Sequence, residues 1–158
     1  MPVEIRQLTP KDAAVMTALS TCFGEAYKDM STYIDKRPSA DYLKGLLGGD
    51  SFIALAALEG IVVVGGLVAY ELKKFEQERS EIYIYDLAVS SGHRRSGIAT
   101  ALIERLKVIA THRGAHVIFV QADTGVEDEP AIELYTKLGL RQEVLHFDIT
   151  VESSDENA

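Results

Sequence analysis

Residues 81–89 read Glu-Ile-Tyr-Ile-Tyr-Asp-Leu-Ala-Val, and residues 90–99 continue Ser-Ser-Gly-His-Arg-Arg-Ser-Gly-Ile-Ala. Five of the first nine are β-branched or aromatic, interrupted by two carboxylates, a leucine and an alanine, the composition of a strand. From Gly97 to about His112 the apolar positions Ile98, Ala101, Leu102, Leu106 and Ile109 recur at helical spacing. Between strand and helix lies a loop of small residues carrying Arg94 and Arg95. That layout is an anion site, because unpaired N–H groups and the positive end of the helix dipole face the loop. It can hold a phosphate or pyrophosphate without a metal. Gly97 permits close backbone approach, and Ala99 keeps the next turn small. The chain contains no G-x-x-x-x-G-K-[ST] loop. A dinucleotide fingerprint would need G-x-G-x-x-G in a different order of elements.

Upstream, Val3 to Gln7 alternates as a short strand, and Thr9-Pro10 is a helix start. That helix carries Ala13, Met16, Leu19 and Phe23 and is expected to end near Gly24. The polar, tyrosine-bearing stretch from Glu25 to Pro38 gives no firm assignment. Ser39 caps a second helix through Tyr42, Leu43, Leu46 and Leu47, stopped by Gly48 and Gly49. Two apolar runs, Ser51–Leu58 and Ile61–Tyr70, flank Glu59-Gly60 and predict a hairpin. Lys73 to Ser80 is a charged loop. Downstream, Arg113-Gly114 ends the long helix, His116–Ala122 is a strand, and Pro130 opens a helix closed by Gly139. A last strand is expected over roughly Glu143–Val151, before a frayed acidic tail at 151–158. The order β-α-α-β-β-β-α-β-α-β mixes hairpins with crossovers, so the fold class is mixed α/β rather than a doubly wound parallel sheet.

The 158 residues fit one domain spanning 1–158. No apolar run approaches the roughly 18 residues of a membrane span, and residues 1–8 lack the layout of a secretory leader, so a cytoplasmic protein is expected. The single cysteine, Cys22, cannot pair internally, and the four scattered histidines predict no metal site. A net charge of −8 argues against a nucleic-acid partner and suits a cationic ligand, as it also suits any acidic soluble protein.

Arg94-x-x-Gly97-x-Ala99 after a strand resembles the pyrophosphate loop, (R/Q)-x-x-G-x-(G/A), of the GNAT superfamily of acetyl-coenzyme A-dependent N-acetyltransferases. Ala131-x-x-Leu134-Tyr135-x-Lys137-x-Gly139-Leu140 resembles its late segment, A-x-x-L-Y-x-K-x-G-F. The resemblance implies a mostly antiparallel central sheet with splayed parallel central strands, flanked by helices. It implies that acetyl-coenzyme A lies along the backbone of Leu87, Ala88 and Val89, with its pyrophosphate on the loop Arg94, Arg95, Ser96, Gly97, Ile98, Ala99 and Thr100. Tyr135 is then the acid that protonates the departing thiolate; packing on a core helix is its other reading. Where many members carry an asparagine before this helix, this chain has Asp128-Glu129-Pro130.

On the amine side, a substrate ammonium must lose a proton before it attacks. Asp86 interrupts an apolar strand and is the candidate base, unless it serves only to hold a neighbouring backbone or tyrosine. The family places an oxyanion donor on the same strand, here near Leu87. Glu81 could bind an ammonium, and Asp123, Asp128 and Glu129 form either a wall for a polycation or a solvated acidic loop. The runs Arg79–Val89, Asp41-Tyr42-Leu43, Phe52–Ala57, Leu134–Gly139 and His146–Ile149 are similar to type I aminoglycoside 3-N-acetyltransferases, the gentamicin acetyltransferases. This likeness runs from about Leu8 to Ile149. It implies a homodimer that acetylates the 3-amino group of 2-deoxystreptamine, by direct transfer in a ternary complex. An acetyltransferase for a polyamine, small amine or protein N-terminus shares the coenzyme site, and a non-catalytic acyl-coenzyme A module is the reading outside enzymology.

Overall fold

Residues 2–152 are described by a computed structural model. They fall into two compact units, divided along the chain after Gln121. The first contains β1 (Val3–Gln7), α1 (Ala13–Tyr27), α2 (Met30–Tyr33), α3 (Ala40–Gly48), β2 (Phe52–Glu59), β3 (Val62–Lys73), β4 (Ser80–Val89), α4 (Ile98–Arg113) and β5 (Ala115–Val120). The strands form one sheet in the order β1-β2-β3-β4-β5. The first three pairings are antiparallel and β4–β5 is parallel. The expected mixed α/β fold is therefore formed.

Helices cover both faces of this sheet, which is why β2 reads as a near-continuous apolar run with seven of its eight residues buried. On one face α1 and α3 bring Met16, Leu19, Phe23, Leu43 and Leu47 onto Phe52, Ala54, Ala56, Leu58, Val68 and Ala88. On the other, the buried stripe Ile98, Leu102, Ile103, Leu106 and Ala110 of α4 covers the alternate strand positions. A row of small residues crosses the first face, with Ala56 opposite Gly66 and Gly66 opposite Ala88. Leu19 of α1 sits directly over that row.

Local signals set most boundaries. Thr9 and Asp12 form a capping box over a short 3₁₀ turn at Pro10–Asp12, and α1 follows. Ser39 Oγ accepts the Tyr42 N–H at 3.1 Å to start α3. Gly114, at φ 76°, ends α4 in left-handed backbone. At Gly24 the expectation is corrected. The helix continues to Tyr27 and stops at Lys28, φ 55°. Gly24 is instead a packing position, since a Cβ there would come within 2.8 Å of Ile34 and 3.2 Å of Tyr33. α2 occupies part of the stretch left unassigned.

The second unit, from Ala122, carries a 3₁₀ turn at Val126–Asp128 and α5 (Glu129–Leu138). The strand expected over Glu143–Val151 is not formed there. Residues 139–152 have no regular structure, because a strand exists only by its ladder and this unit supplies no second strand among the described residues. The tail expected from 151 lies, from residue 153 onward, outside the described residues.

Candidate active site

The site in the first unit is built on an irregularity in β4. Val68 faces Asp86 and Ala69 faces Ile84, leaving Tyr85 as the extra residue of a β-bulge. Pairing of β4 with β5 runs from Ser80 to Ile84 and stops there, while β4 continues to Val89. β5 ends at Val120, the partner of Ile84, so β4 runs on past the end of β5. The N–H of Leu87 donates to Tyr27 Oη at 3.0 Å, and its carbonyl accepts from the same hydroxyl at 2.9 Å. Both polar groups of this peptide position point to one side of the strand, as an antiparallel ladder dictates.

Asp86 lies opposite Val68 and on the face covered by α1–α3. Tyr33 Oη of α2 donates to Asp86 Oδ1 at 2.8 Å. Burial pushes the Asp86 carboxyl above the ordinary aspartate range, and the Tyr33 hydrogen bond opposes that shift without cancelling it. Burial, then the bond and charge of Asp86, drive the Tyr33 phenol upward, so it stays a proton donor at neutral pH. Asp86 thus holds a tyrosine, as one of its two readings expected, and its burial raises the carboxyl's affinity for a proton.

Aromatic rings wall this carboxylate. Tyr27 stacks on Phe23 with centroids 6.0 Å apart and meets Tyr33 at 5.6 Å. Tyr85 is edge-on to Tyr70 at 5.9 Å and to Tyr83 at 5.8 Å. Tyr83 stacks on Phe119 of β5 at 4.7 Å and donates to Gln121 Oε1 at 2.9 Å. An elevated carboxylate one residue from an outward backbone N–H provides a proton acceptor and an oxyanion donor side by side.

The anion loop follows β4. Arg95 and Gly97 both adopt left-handed backbone, φ 61° and 83°, conformations that turn neighbouring N–H groups toward a common anion. Gly97 is the N-cap of α4 and brings no capping side chain to its first amides. Nothing lies within 4 Å of where its Cβ would be, so the approach is open. Ser90 Oγ and His93 Nδ1 lie 2.9 Å apart, and His93 Nε2 is 3.3 Å from Glu59 Oε2, which ties the loop to the β2–β3 turn. Arg94 Nε donates to Val89 O at 3.3 Å, and Ser96 Oγ donates to His93 O. Exposed arginines, uncapped helix amides and an open glycine are the features that suit an anion such as a pyrophosphate.

Other expected residues stand apart from this cluster or belong to the second unit. Glu81 begins β4 between Lys74, at 3.8 Å, and His116, at 3.4 Å. It is five residues from Asp86, roughly 17 Å along a strand. In the second unit, Asp128 Oδ2 accepts the Asp123 N–H at 2.8 Å and so closes its own loop. Asp123 and Glu129 are exposed there. Burial, then the Asp128 charge, push the Tyr135 phenol up to about 12, which keeps it protonated and able to donate. Among the described residues no group of three or more His, Cys, Asp and Glu could hold a metal ion.

Sequence reasoning did not place Tyr27, and it left Tyr33 without a role. Both lie in or beside the unassigned segment, and their partners are 60 and 53 residues away. Their only sequence signal is two tyrosines in a polar stretch.

Comparison with known proteins follows this geometry. The profile of the "Acetyltransferase (GNAT) family" matches residues 13–140. The probable N-acetyltransferase family 8 member 5 of Mus musculus is 28% identical over 130 residues, covering 81% of this chain and 55% of that protein. N-acetyltransferase 8 of Mus musculus is 31% identical over 121 residues, covering 74% of this chain and 52% of that protein. The chain thus spans about half the length of the curated relatives it matches. Among solved structures, an aminoglycoside acetyltransferase from an uncultured soil metagenomic sample is 64% identical with a TM-score of 0.95, covering 96% of this chain and all of that one. Another, from an uncultured soil metagenomic sample and in complex with sisomicin, is 29% identical with a TM-score of 0.87, covering 95% and 97%.

Proposed function

Because the chain belongs to the acetyltransferase (GNAT) family, we propose that it transfers the acetyl group of acetyl-coenzyme A to the 3-amino group of an aminoglycoside. The observation that carries the chemistry is the adjacency of the Asp86 carboxyl and the Leu87 N–H, which here donates to Tyr27, just after the β4 bulge and before the anion loop. Likeness to an aminoglycoside acetyltransferase at 64% identity supports the substrate class. The net charge of −8 is in keeping with a polycation. Regiochemistry rests on the similarity of residues 79–89 to the type I 3-N enzymes. A homodimer and a cytoplasmic location rest on that similarity and on composition.

Bound acetyl-coenzyme A supplies the activated thioester. Asp86 accepts a proton from the substrate ammonium, directly or through one water, and so frees the attacking lone pair. The Leu87 N–H donates to the carbonyl oxygen as negative charge develops on it. Arg94 to Thr100 hold the pyrophosphate, and Ala88 and Val89 offer backbone pairing to the pantetheine arm. Tyr135, protonated at neutral pH, donates to the leaving thiolate. We assign Asp123, Asp128 and Glu129 to the polycation's outer ammonium groups and Glu81 to a peripheral one. No residue is acylated.

Free-thiol release from acetyl-coenzyme A, measured with gentamicin, spermidine and a peptide amine, tests the reading. Turnover with gentamicin alone, and a product acetylated at N3 by NMR, is expected. Turnover with spermidine or the peptide but not gentamicin would discard the aminoglycoside assignment and keep the transferase. Tyr135→Phe is expected to lower kcat about tenfold, below the usual range of about 100- to 10,000-fold for general-acid effects, because a thiolate leaves readily. An unchanged kcat at neutral pH would return Tyr135 to a packing role.

A further inference from the structure

Tyr27 is attached to the one peptide that the proposed chemistry needs free. Its hydroxyl accepts the Leu87 N–H and donates to the Leu87 carbonyl, at 3.0 and 2.9 Å. Both groups lie on the part of β4 past Ile84, beyond the end of β5 at Val120. A ligand lying along β4 as an added strand needs the same N–H and C=O, and so does a thioester oxygen. One hydroxyl therefore satisfies both members of a pair that an extended ligand backbone would satisfy.

The placement of Tyr27 lets it leave. It is the last residue of α1, and Lys28 after it is already in left-handed backbone at φ 55°. The side chain is about two-fifths exposed, and its ring rests on Phe23 and Tyr33 rather than inside the sheet core. Release breaks its two hydrogen bonds to Leu87 and moves a partly exposed ring at a helix end.

We propose that Tyr27 is a built-in competitor of acetyl-coenzyme A: its hydroxyl occupies the Leu87 peptide and must be displaced for the acyl arm to pair with β4. The inference rests on the coenzyme reading above and adds to it a residue that sets coenzyme affinity. It also protects the strand. An unpaired N–H and C=O on a strand edge invite wrong pairing, and the hydroxyl blunts that edge until the coenzyme takes it.

Tyr27→Phe keeps the ring and removes only the competing atom, so two measurements on the full chain decide the matter. Calorimetric titration with acetyl-coenzyme A is expected to show Tyr27→Phe binding about three- to tenfold more tightly than wild type, the span of about one ordinary intramolecular hydrogen bond. Equal or weaker binding by the variant overturns the competition. Amide hydrogen exchange at Leu87, followed by NMR without coenzyme, is expected to speed up in the variant while Leu67 on β3 is unchanged. Unchanged Leu87 exchange overturns the role of the hydroxyl whatever the affinities. If Leu87 exchange responds but neither protein binds acetyl-coenzyme A, the coenzyme reading fails and the competition with it, while the hold of Tyr27 on the strand stands.

Discussion

Asp86→Asn is expected to lower kcat/KM for the acceptor amine about a thousandfold, within the range for loss of a positioned general base, while leaving the protein at least as stable as wild type. The loss follows from chemistry alone. Asparagine accepts the Tyr33 hydroxyl much as aspartate does, so the 2.8 Å contact and the wall around it persist. What disappears is the ability to take a proton from an ammonium group. The stability half follows from burial. Asp86 has a carboxyl pushed upward by desolvation, so the folded protein holds its proton more tightly than the unfolded chain does. Its contribution is then fully present at acid pH and is lost as pH rises through the elevated folded value. At neutral pH the charged group is a cost, and the neutral amide removes it.

The same shift fixes the pH profile. Activity needs Asp86 ionised, so kcat/KM should fall toward acid pH with a limb above the ordinary aspartate range, and Asp86→Asn should abolish that limb. Steady-state kinetics across pH, with thermal melts of both proteins, checks all three statements. A variant within about threefold of wild type in kcat/KM would end the assignment as base. A variant that melted several degrees lower would make Asp86 a structural holder of Tyr33.

Gly66→Ala is expected to destabilise the protein by about 3 kcal/mol or more, the upper part of the overpacking range. Two effects oppose each other here. Replacing glycine by alanine at an unstrained position stabilises by about 0.4–1 kcal/mol through the unfolded chain. At Gly66, however, the new Cβ would lie 2.4 Å from Leu19 Cδ1 and 2.5 Å from the Leu55 carbonyl oxygen. The leucine tip could rotate, but a carbonyl held in the β2–β3 ladder cannot withdraw without breaking register. The clash wins. At about 2–4 °C per kcal/mol for a chain of this size, the midpoint should fall by roughly 6–12 °C. Gly45→Ala is the matched control, because it lies inside α3 with nothing within 4 Å of its Cβ position. It should stabilise by up to about 1 kcal/mol. If the two variants melted alike, the close approach of α1 to the Ala56–Gly66–Ala88 row would be wrong.

Elements with a strong local signal were legible at residue level. Thr9-Pro10, Ser39 and Gly97 each start a helical segment because the capping atom or backbone freedom sits within a few residues of the amides it serves. The Glu59-Gly60 turn was legible for the same reason. Gly24 misled because glycine has two uses, ending helices and admitting close neighbours, and only the packed Ile34 and Tyr33 tell them apart. Glu143–Val151 has strand composition, and composition cannot supply a ladder partner.

By itself the sequence determined the order of elements from β1 to α5 apart from α2, the β2–β3 hairpin, the arginine-bearing loop that opens α4 and the carboxylate set into β4. Each of these depends on residues near one another along the chain, through periodicity, caps and turn chemistry. Tertiary structure alone decided that β4 bulges at Tyr85, that β4 runs on past the end of β5, and that Tyr27 and Tyr33 reach Leu87 and Asp86 from helix ends more than fifty residues away. Those contacts depend on how a helix lies across a sheet, and that is set by the volume of Leu19 over Gly66 and by the packing of a whole face, which no short stretch of sequence encodes.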